Sequence, residues 1–314
     1  MKLSGTRPVS YLYTYACHED EAELCALELR TLLGAEARDG WLESPTDVDP
    51  SRSPFVKQRV DVLCEADSLQ ELGELARMLE LDGGSFKVVF VKAGCYAAYE
   101  DQRAMERELG ARIRGRADMR RPDWLLGFAC TGEGRWVLGP CRQNEAVWLK
   151  HSRKPHNYST ALSTRVARAV ANLAVPQPAG IRAIDPCCGI GTVLIEALSM
   201  GIDIVGSDIN PLAVRGARAN LAHFGLPDVV RVADIGDVSG RYDAAVLDLP
   251  YNLCSVISPE EQLRLLGNVR RLAERAVIVS TEPVETLAGQ AGFAVLDRCV
   301  VRKGSFSRHI VICC

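Results

Sequence analysis

Residues 181–198 read "IRAIDPCCGIGTVLIEAL": a short apolar run, a turn with glycines at 189 and 191, then apolar residues at helical spacing. The same strand-then-helix alternation continues through "IDIVGSD", "NPLAVRGARANLAHFG", "VVRVAD", "YDAAVLDLP", "SPEEQLRLLGNVRRLAE", "RAVIVS" and "PVETLAGQAG". A chain with this rhythm is confined to an open, doubly wound sheet of parallel strands, and such sheets bind ligands outside the carboxyl ends of their strands. The last stretch departs from the rhythm. "FAVLDRCVV", the turn "RKGS" and "FSRHIVICC" are two strands with no helix between them, so a terminal hairpin sets one antiparallel strand into the sheet. Dinucleotide dehydrogenases of this architecture usually lack such a hairpin.

Four carboxylates fall where strands end. Asp185 closes the strand before the glycine turn, Asp208 closes the second in "IVGSDIN", Asp234 follows the third in "RVADIGD", and Asp248 ends the fourth in "DLPY". Gly189 and Gly191 let the backbone approach a ligand closely, and the helix N-terminus behind them favours negative charge. The third glycine of the dinucleotide fingerprint is replaced by Leu194. A desolvated Asp185 beside a diphosphate would be repulsive, by on the order of several kcal/mol, whereas beside an ammonium it attracts. Asp208 lies 19 residues after Gly189 and suits a pair of ribose hydroxyls; Asp234 suits an adenine amino group. Together they describe a pocket for an adenosine that carries positive charge, with an amino-acid moiety and a cationic sulfur. Each carboxylate alone is also an ordinary helix N-cap.

Asp248, Pro250 and Tyr251 adjoin that pocket. An exocyclic aromatic amine is planar, with its lone pair delocalised into the ring, and is therefore a poor nucleophile. Acceptors for both amino hydrogens favour a pyramidal nitrogen whose lone pair points at the methyl donor. The Asp248 carboxylate and a main-chain carbonyl at Leu249 or Pro250 are the candidate acceptors, and Pro250 fixes the turn that aims the carbonyl. Tyr251 offers a face for an extruded base, worth about 1–3 kcal/mol. Taken alone, the same four residues also read as a strand-terminating turn with a core tyrosine.

Ahead of residue 155 the pattern is different. "VSYLYTYAC" with "EDEAELCALELRTLLG", "FVKQRVDVLCEA" with "LQELGELARMLEL", and "SFKVVFVKA" with "YEDQRAMERELGARIR" are three strand–helix units, followed by a hairpin in "WLLGFACTGEGRWVLGPC". They predict two small α+β modules split near Pro50–Pro54. Although the formal net charge is −3, ten Lys/Arg stand against four Asp/Glu between Arg112 and Lys154. That local excess suits a polyanion. Arg112, Arg114, Arg116, Arg120, Arg121, Arg153 and Lys154 are candidate phosphate contacts, with a solvated basic face as the alternative; Trp124 reads as core. "STALSTRVARAVANLA" is helical and ends before the Pro/Gly punctuation of "VPQPAG".

A hydrophobic content of 47% and a charged content of 25% are those of a soluble globular chain. No apolar run approaches the roughly 20 residues that span a bilayer, and the opening residues lack a signal peptide's apolar core. The expected location is cytoplasmic. The twelve cysteines contain no CxxC spacing and the five histidines no ligand pattern, so free buried thiols and no metal are expected.

"DPCCGIGTVLIEA", "GSDINPLAVRGARANL" and "DLPYN" resemble the motifs of class I S-adenosylmethionine-dependent methyltransferases acting on exocyclic amines. "RKPHNYSTALSTRVARAVANLA" resembles the linker-helix segment of THUMP-domain RNA methyltransferases, especially tRNA guanosine-N2 methyltransferases. The region around "GRADMRRPDW" and "GFACTGEGRWVLG" resembles the THUMP module, an RNA-binding domain usually preceded by a ferredoxin-like unit. The resemblance implies an α/β, Rossmann-like methyltransferase sheet with a terminal antiparallel hairpin, preceded by an α+β ferredoxin-like/THUMP region. It divides the chain into 1–54 (ferredoxin-like), 55–150 (THUMP-like), 151–180 (linker and helix) and 181–314 (methyltransferase).

The cofactor so implied is S-adenosyl-L-methionine. Asp185, Gly189 and Gly191 would line its methionine side, Asp208 its ribose and Asp234 its adenine, with Pro186, Cys188, Thr192 and Ile209 completing the pocket. Asp248, Pro250 and Tyr251 would hold the target amine, and a helix beginning near Ala161 would close over the cofactor. The implied partner is RNA, tRNA first. Cys187 and Cys188 stand where an aromatic residue and a cysteine are more usual, Leu249 replaces a common first proline, and Asn252 replaces a frequent glycine; the last two bear on the choice of base. Adenine or cytosine amines in ribosomal RNA or DNA, a protein glutamine amide, and a non-catalytic RNA-binding protein that keeps the fold are the competing readings.

Overall fold

The protein is represented by a computed structural model that describes residues 2–3, 5–132, 134–158, 161–250, 257–304 and 306–314. It forms two compact units, Met1–Ala16 with Leu33–Glu145, and Cys17–Leu32 with Ala146–Cys314. These divisions differ from the expected boundaries at 54, 150 and 180. The first helix, α1 (Ala22–Leu33), is early in sequence yet belongs, all but its last residue, to the second unit. Polar contacts inside that unit explain why. Buried Asn172 donates to Glu28 Oε1 at 2.7 Å, Arg165 pairs with Glu21 at 2.6 Å, and Arg30 pairs with Asp297 at 2.9 Å.

The first unit is built on β1 (Ser10–Tyr15), β2 (Trp41–Ser44), β3 (Val56–Val62), β4 (Cys64–Ala66), β5 (Ser85–Phe90), β6 (Arg116–Ala117), β7 (Trp124–Cys130) and β8 (Trp136–Gln143). They form one sheet in the order β2-β1-β3-β8-β7-β5-β6, with β4 also paired to β8. The expected split near Pro50–Pro54 thus does not separate two sheets, because β3 pairs antiparallel with β8 through Val60 and Cys141. The hairpin of β7 and β8 is as the sequence predicts. Helices α2 (Leu69–Ala76) and α3 (Tyr99–Arg112) contribute Leu72, Ala76 and Leu109 to a core with Phe86, Leu126 and Phe128. Trp124 packs on that core and donates Nε1–H to the Leu81 carbonyl. One expectation is corrected here: Cys95 and Cys130 form a disulfide rather than lying as free thiols, because the loop after β5 runs back along the end of β7. Among the described residues, six other cysteines are buried and free.

The second unit continues with α4 (Trp148–His151), α5 (Thr164–Ala174), β9 (Arg182–Asp185), α6 (Thr192–Ser199), β10 (Asp203–Asp208), α7 (Pro211–His223), β11 (Val230–Val232), β12 (Tyr242–Asp248), α8 (Pro259–Leu272), β13 (Ala273–Ser280), α9 (Glu285–Gln290), β14 (Val295–Lys303) and β15 (Phe306–Cys313). The sheet order is β11-β10-β9-β12-β13-β15-β14. All pairings are parallel except those of β15, which runs antiparallel to both β13 and β14. The terminal hairpin is therefore where the sequence puts it. Helix starts follow local chemistry: Ser163 caps α5, Asn210 precedes Pro211 on α7, and Ser258 precedes Pro259 on α8. The helix expected to begin near Ala161 begins at Thr164, because the Ser163 hydroxyl accepts the Val166 N–H. Strand β9 is flanked by β10 on one side and β12 on the other, so the topological switch point lies at Asp185.

Candidate active site

A cleft of about 330 Å³ opens at that switch point, wholly within the second unit. Asp185, Asp208, Asp234 and Asp248 all line it, so the four strand ends converge as the sequence predicts. Pro186, Cys188, Gly189, Thr192, Ile209 and Pro250 line it too; Gly191 lies directly behind, as the N-cap of α6. Tyr251 lies outside the described residues. The lining also includes residues that sequence reasoning missed: Tyr158 and Leu162 ahead of α5, and Ile257, Glu261 and Arg264 around the start of α8. The capping sequence "SPEE" marks that helix start but not which strand end it faces.

The glycine turn is held to the neighbouring strand. Gly189 and Gly191 have φ of +51° and +79°, which side chains rarely adopt. The Cys188 N–H donates to the Ser207 carbonyl at 2.9 Å, and the Gly189 N–H donates to Asp208 Oδ2 at 2.8 Å. Gly206 makes this approach possible, since a Cβ there would lie 2.6 Å from Leu194 Cδ1.

The carboxylates divide into two pairs. Asp208 and Asp234 are partly used by the fold. Asp208 accepts the Asn210 N–H at 2.8 Å in addition to Gly189, and Asp234 accepts the Gly236 N–H at 2.7 Å and pairs with Arg264 at 3.2 Å. The Gly236 N–H and then Arg264 hold Asp234 below the usual carboxylate range. The capping role weighed for these residues is thus real for Asp234, the N-cap of the turn Ile235–Asp237, whereas Asp208 holds the N–H of Asn210, which is itself the cap of α7.

Asp185 and Asp248 are different. Asp185 is only 2% exposed and accepts a single long bond from the Cys187 N–H at 3.3 Å. Burial pushes its carboxyl well above the usual range, and the charge of Asp248 adds to the rise. Burial likewise pushes Asp248 up to about 7, with Arg308 on β15 opposing. Asp248 Oδ1 and Thr192 Oγ1 are buried with no hydrogen-bond partner among the described residues. Acceptors left unpaired in a wall cost on the order of 1–3 kcal/mol each. Two of them in one cleft mark positions built for a ligand's donors.

Residues 151–277 match a family of RMKL-like methyltransferase domains. The tRNA (guanine(10)-N2)-dimethyltransferase of Methanothermobacter thermautotrophicus is 30% identical over 322 residues, spanning 90% of this chain and 93% of that protein. The chain belongs to this family. The tRNA (guanine(10)-N2)-dimethyltransferase of Pyrococcus abyssi is 29% identical, covering 80% of this chain and 81% of its own. A mouse U6 snRNA (guanine-N(2))-methyltransferase, THUMPD2, is 32% identical over 100 residues, covering 30% of this chain and 19% of its own.

The protein is accordingly an S-adenosylmethionine-dependent methyltransferase. Its cleft fits that cofactor on its own evidence. It offers in Asp185 and Asp248 two carboxylates that form no ion pair among the described residues, as an ammonium and a sulfonium require, and Asp208 and Asp234 supply further acceptors.

The sequence-predicted basic residues divide. Arg114, Arg116, Arg120 and Arg121 are exposed in the first unit, with Arg116 on the short edge strand β6 and the Arg120 and Arg121 N–H groups held by Asp118 Oδ1. Arg112 is half-buried and pairs with Glu74 at 2.6 Å. Arg153 is exposed in the second unit. Lys154 is a correction: it is only 6% exposed, and burial holds its ammonium below the usual range with Glu196 opposing, so it is not presented as a surface phosphate contact.

Proposed function

We propose that this protein transfers methyl groups from S-adenosylmethionine to the 2-amino group of a guanine in tRNA, with Asp248 and the Leu249–Pro250 main chain as acceptors for the amine. The observation that carries this reading is the buried Asp248 Oδ1 at the end of β12, which has no hydrogen-bond partner among the described residues, beside a cleft lined by three further carboxylates. Guanine is favoured over adenine and cytosine because the tRNA and U6 snRNA relatives are all named for the guanine 2-amino group, while the RNA differs between them. The bound cofactor supplies an electrophilic methyl group on a sulfonium. Asp185 attracts the positive end of the methionine moiety, Asp208 accepts from the ribose and Asp234 from the adenine.

At the substrate side, Asp248 accepts an amino hydrogen, which pyramidalises the nitrogen and holds its lone pair towards the methyl carbon. With its carboxyl near neutrality, Asp248 is also placed to take the proton released on transfer. Pro250 fixes the turn that carries the second acceptor. The roles of Pro186, Cys188, Thr192 and Ile209 are those of wall residues around the cofactor.

The first unit is proposed to bind RNA as a THUMP-like module through Arg114, Arg116, Arg120 and Arg121, and Arg153 on the second unit is proposed to add a phosphate contact. Reversing Arg116 and Arg120 together to glutamate is expected to weaken tRNA binding about tenfold or more. The same change is expected to flatten the salt dependence by about one unit of slope for each phosphate no longer neutralised. Filter binding across a salt series checks this, and an unchanged slope would remove these two arginines from the interface. A cytoplasmic location is proposed from the relatives named for tRNA modification; among the described residues no helix is long and apolar enough to cross a membrane.

Nucleoside mass spectrometry of tRNA from cells with and without the protein tests the function. Loss of N2-methylated guanosine in its absence is the expected result. Unchanged guanosine with loss of a methylated adenosine or cytidine would favour the competing choice of base.

A further inference from the structure

We infer that Asn220 is a positioning residue for the cofactor: its buried carboxamide clamps the segment 151–158 to the glycine turn, and thereby sets the cleft wall formed by Tyr158 and Leu162. The inference rests on reading the cleft as the methyl-donor site.

Asn220 lies on α7 and is fully buried. Its Oδ1 accepts the His156 N–H at 2.9 Å, and its Nδ2 donates to the His156 carbonyl and to the Ile190 carbonyl, both at 3.0 Å. Both amide hydrogens are used, and the exchange with His156 has the reciprocity of a rung between strands. Ile190 stands between Gly189 and Gly191 and lines the cleft. One side chain therefore ties together the glycine turn and the segment that reaches the cleft at Tyr158.

The helix face around Asn220 is shaped for this. One turn earlier is Gly216, where a Cβ would lie 3.3 Å from Ile190 Cγ2 and 3.6 Å from His156 Cβ. Beside it, a Cβ on Gly191 would lie 3.2 Å from Ala217 Cβ. Small residues at 216 and 217 let the turn and the segment reach the carboxamide.

The same segment is anchored at its other end. His151 Nδ1 lies 2.8 Å from Glu196 Oε1 on α6, and Arg168 on α5 donates to Glu196 Oε2 at 2.8 Å. The segment is thus fixed to α6 at His151 and to α7 at His156, and Asn220 is the anchor nearer the cleft. Removing its carboxamide leaves the buried Ile190 carbonyl and the part-buried N–H and carbonyl of His156 without their partner, and unties the turn from the segment. Movement of either displaces the cofactor wall.

The test is Asn220→Ala, read by calorimetric titration with S-adenosylmethionine, by tRNA affinity and by steady-state kinetics, all well below the variant's Tm. The cofactor Kd and KM are expected to rise about tenfold or more, with kcat and tRNA affinity within about twofold of wild type. A structural role alone would lower Tm and leave both affinities at wild type, or weaken both together; either result overturns the inference. Gly216→Ala keeps every Asn220 bond but sets a methyl group between the same two segments, so it is expected to weaken cofactor binding by a smaller factor. Should Asn220→Ala not fold, a wild-type cofactor Kd in Gly216→Ala overturns the inference. Failure of the wild-type protein to bind S-adenosylmethionine would instead overturn the reading of the cleft.

Discussion

Asp248→Asn is expected to cut methyl transfer about a thousandfold or more while making the fold more stable above neutral pH. Both effects come from one buried carboxylate. In the active protein, Asp248 Oδ1 has no partner among the described residues, and burial raises its carboxyl to about 7. An amide there keeps the shape but loses the charge that pyramidalises the amine and takes its proton, two contributions that together reach several kcal/mol of barrier. Asp248→Ala removes the acceptor altogether and is expected to abolish turnover while leaving RNA binding in place and weakening cofactor binding by a far smaller factor.

The stability sign is the reverse of the usual carboxylate case. A folded-state carboxyl pKa raised above its unfolded value means that the native state binds the extra proton between about 4 and 7. Ionisation of Asp248 therefore costs the native state nothing below that window and its full amount above it. Discounted for partial solvent access, the cost is on the order of 2 kcal/mol. Denaturation of wild type and Asp248→Asn at pH 5 and pH 8 checks it: the variant's advantage is expected at pH 8 and is expected to shrink at pH 5. Undiminished turnover in either variant would remove Asp248 from the mechanism.

Cofactor binding is expected to release protons near neutral pH. Burial lifts both Asp185 and Asp248 above the usual carboxylate range, so the free cleft holds protons that a cation would displace. An ammonium near Asp185 and a sulfonium near Asp248 favour both carboxylates. Titrations at pH 6.5 in buffers of different ionisation enthalpy are expected to give a binding enthalpy that varies with the buffer, with about one proton released. The neutral thioether product, S-adenosylhomocysteine, is expected to release fewer. In kinetics, kcat/KM for the cofactor is expected to fall as the pH drops below about 7, because that ratio reports the free enzyme. The kcat profile is expected to hold to lower pH. A buffer-independent enthalpy with a flat profile from pH 5.5 to 8 would contradict the assignment of these carboxylates to the cofactor.

The second unit was legible because its signals are local. Each strand end carries its carboxylate within the strand's own motif, and the caps at Ser163, Asn210 and Ser258 are written in adjacent residues. The first unit was less so. Strand β2 is a four-residue stretch, "WLES", entered through a turn with positive φ at Asp39 and Gly40, too short for alternation to register. The placement of α1 with the second unit depends on Glu28 meeting Asn172, a pair 144 residues apart that no window of sequence contains. Lys154 failed for a related reason: a basic side chain in a basic stretch reads as surface, and only the fold reveals that it is buried beside Glu196. Asn220 was invisible because its three bonds go to backbone atoms elsewhere in the chain, although the spacing of Gly216 and Asn220 on one helix face was there to be read.

The most direct measurement is the fate of the methyl group itself. Purified protein, tRNA lacking the modification and S-adenosylmethionine carrying a trideuterated methyl group would be incubated together, and the tRNA digested to nucleosides for mass spectrometry. The expected product is deuterated N2-methylguanosine or its dimethylated form with wild type, and none with Asp248→Ala. Deuterium on another base or on ribose, or equal labelling by the variant, would contradict a cleft in which Asp248 presents a guanine amine to the methyl donor.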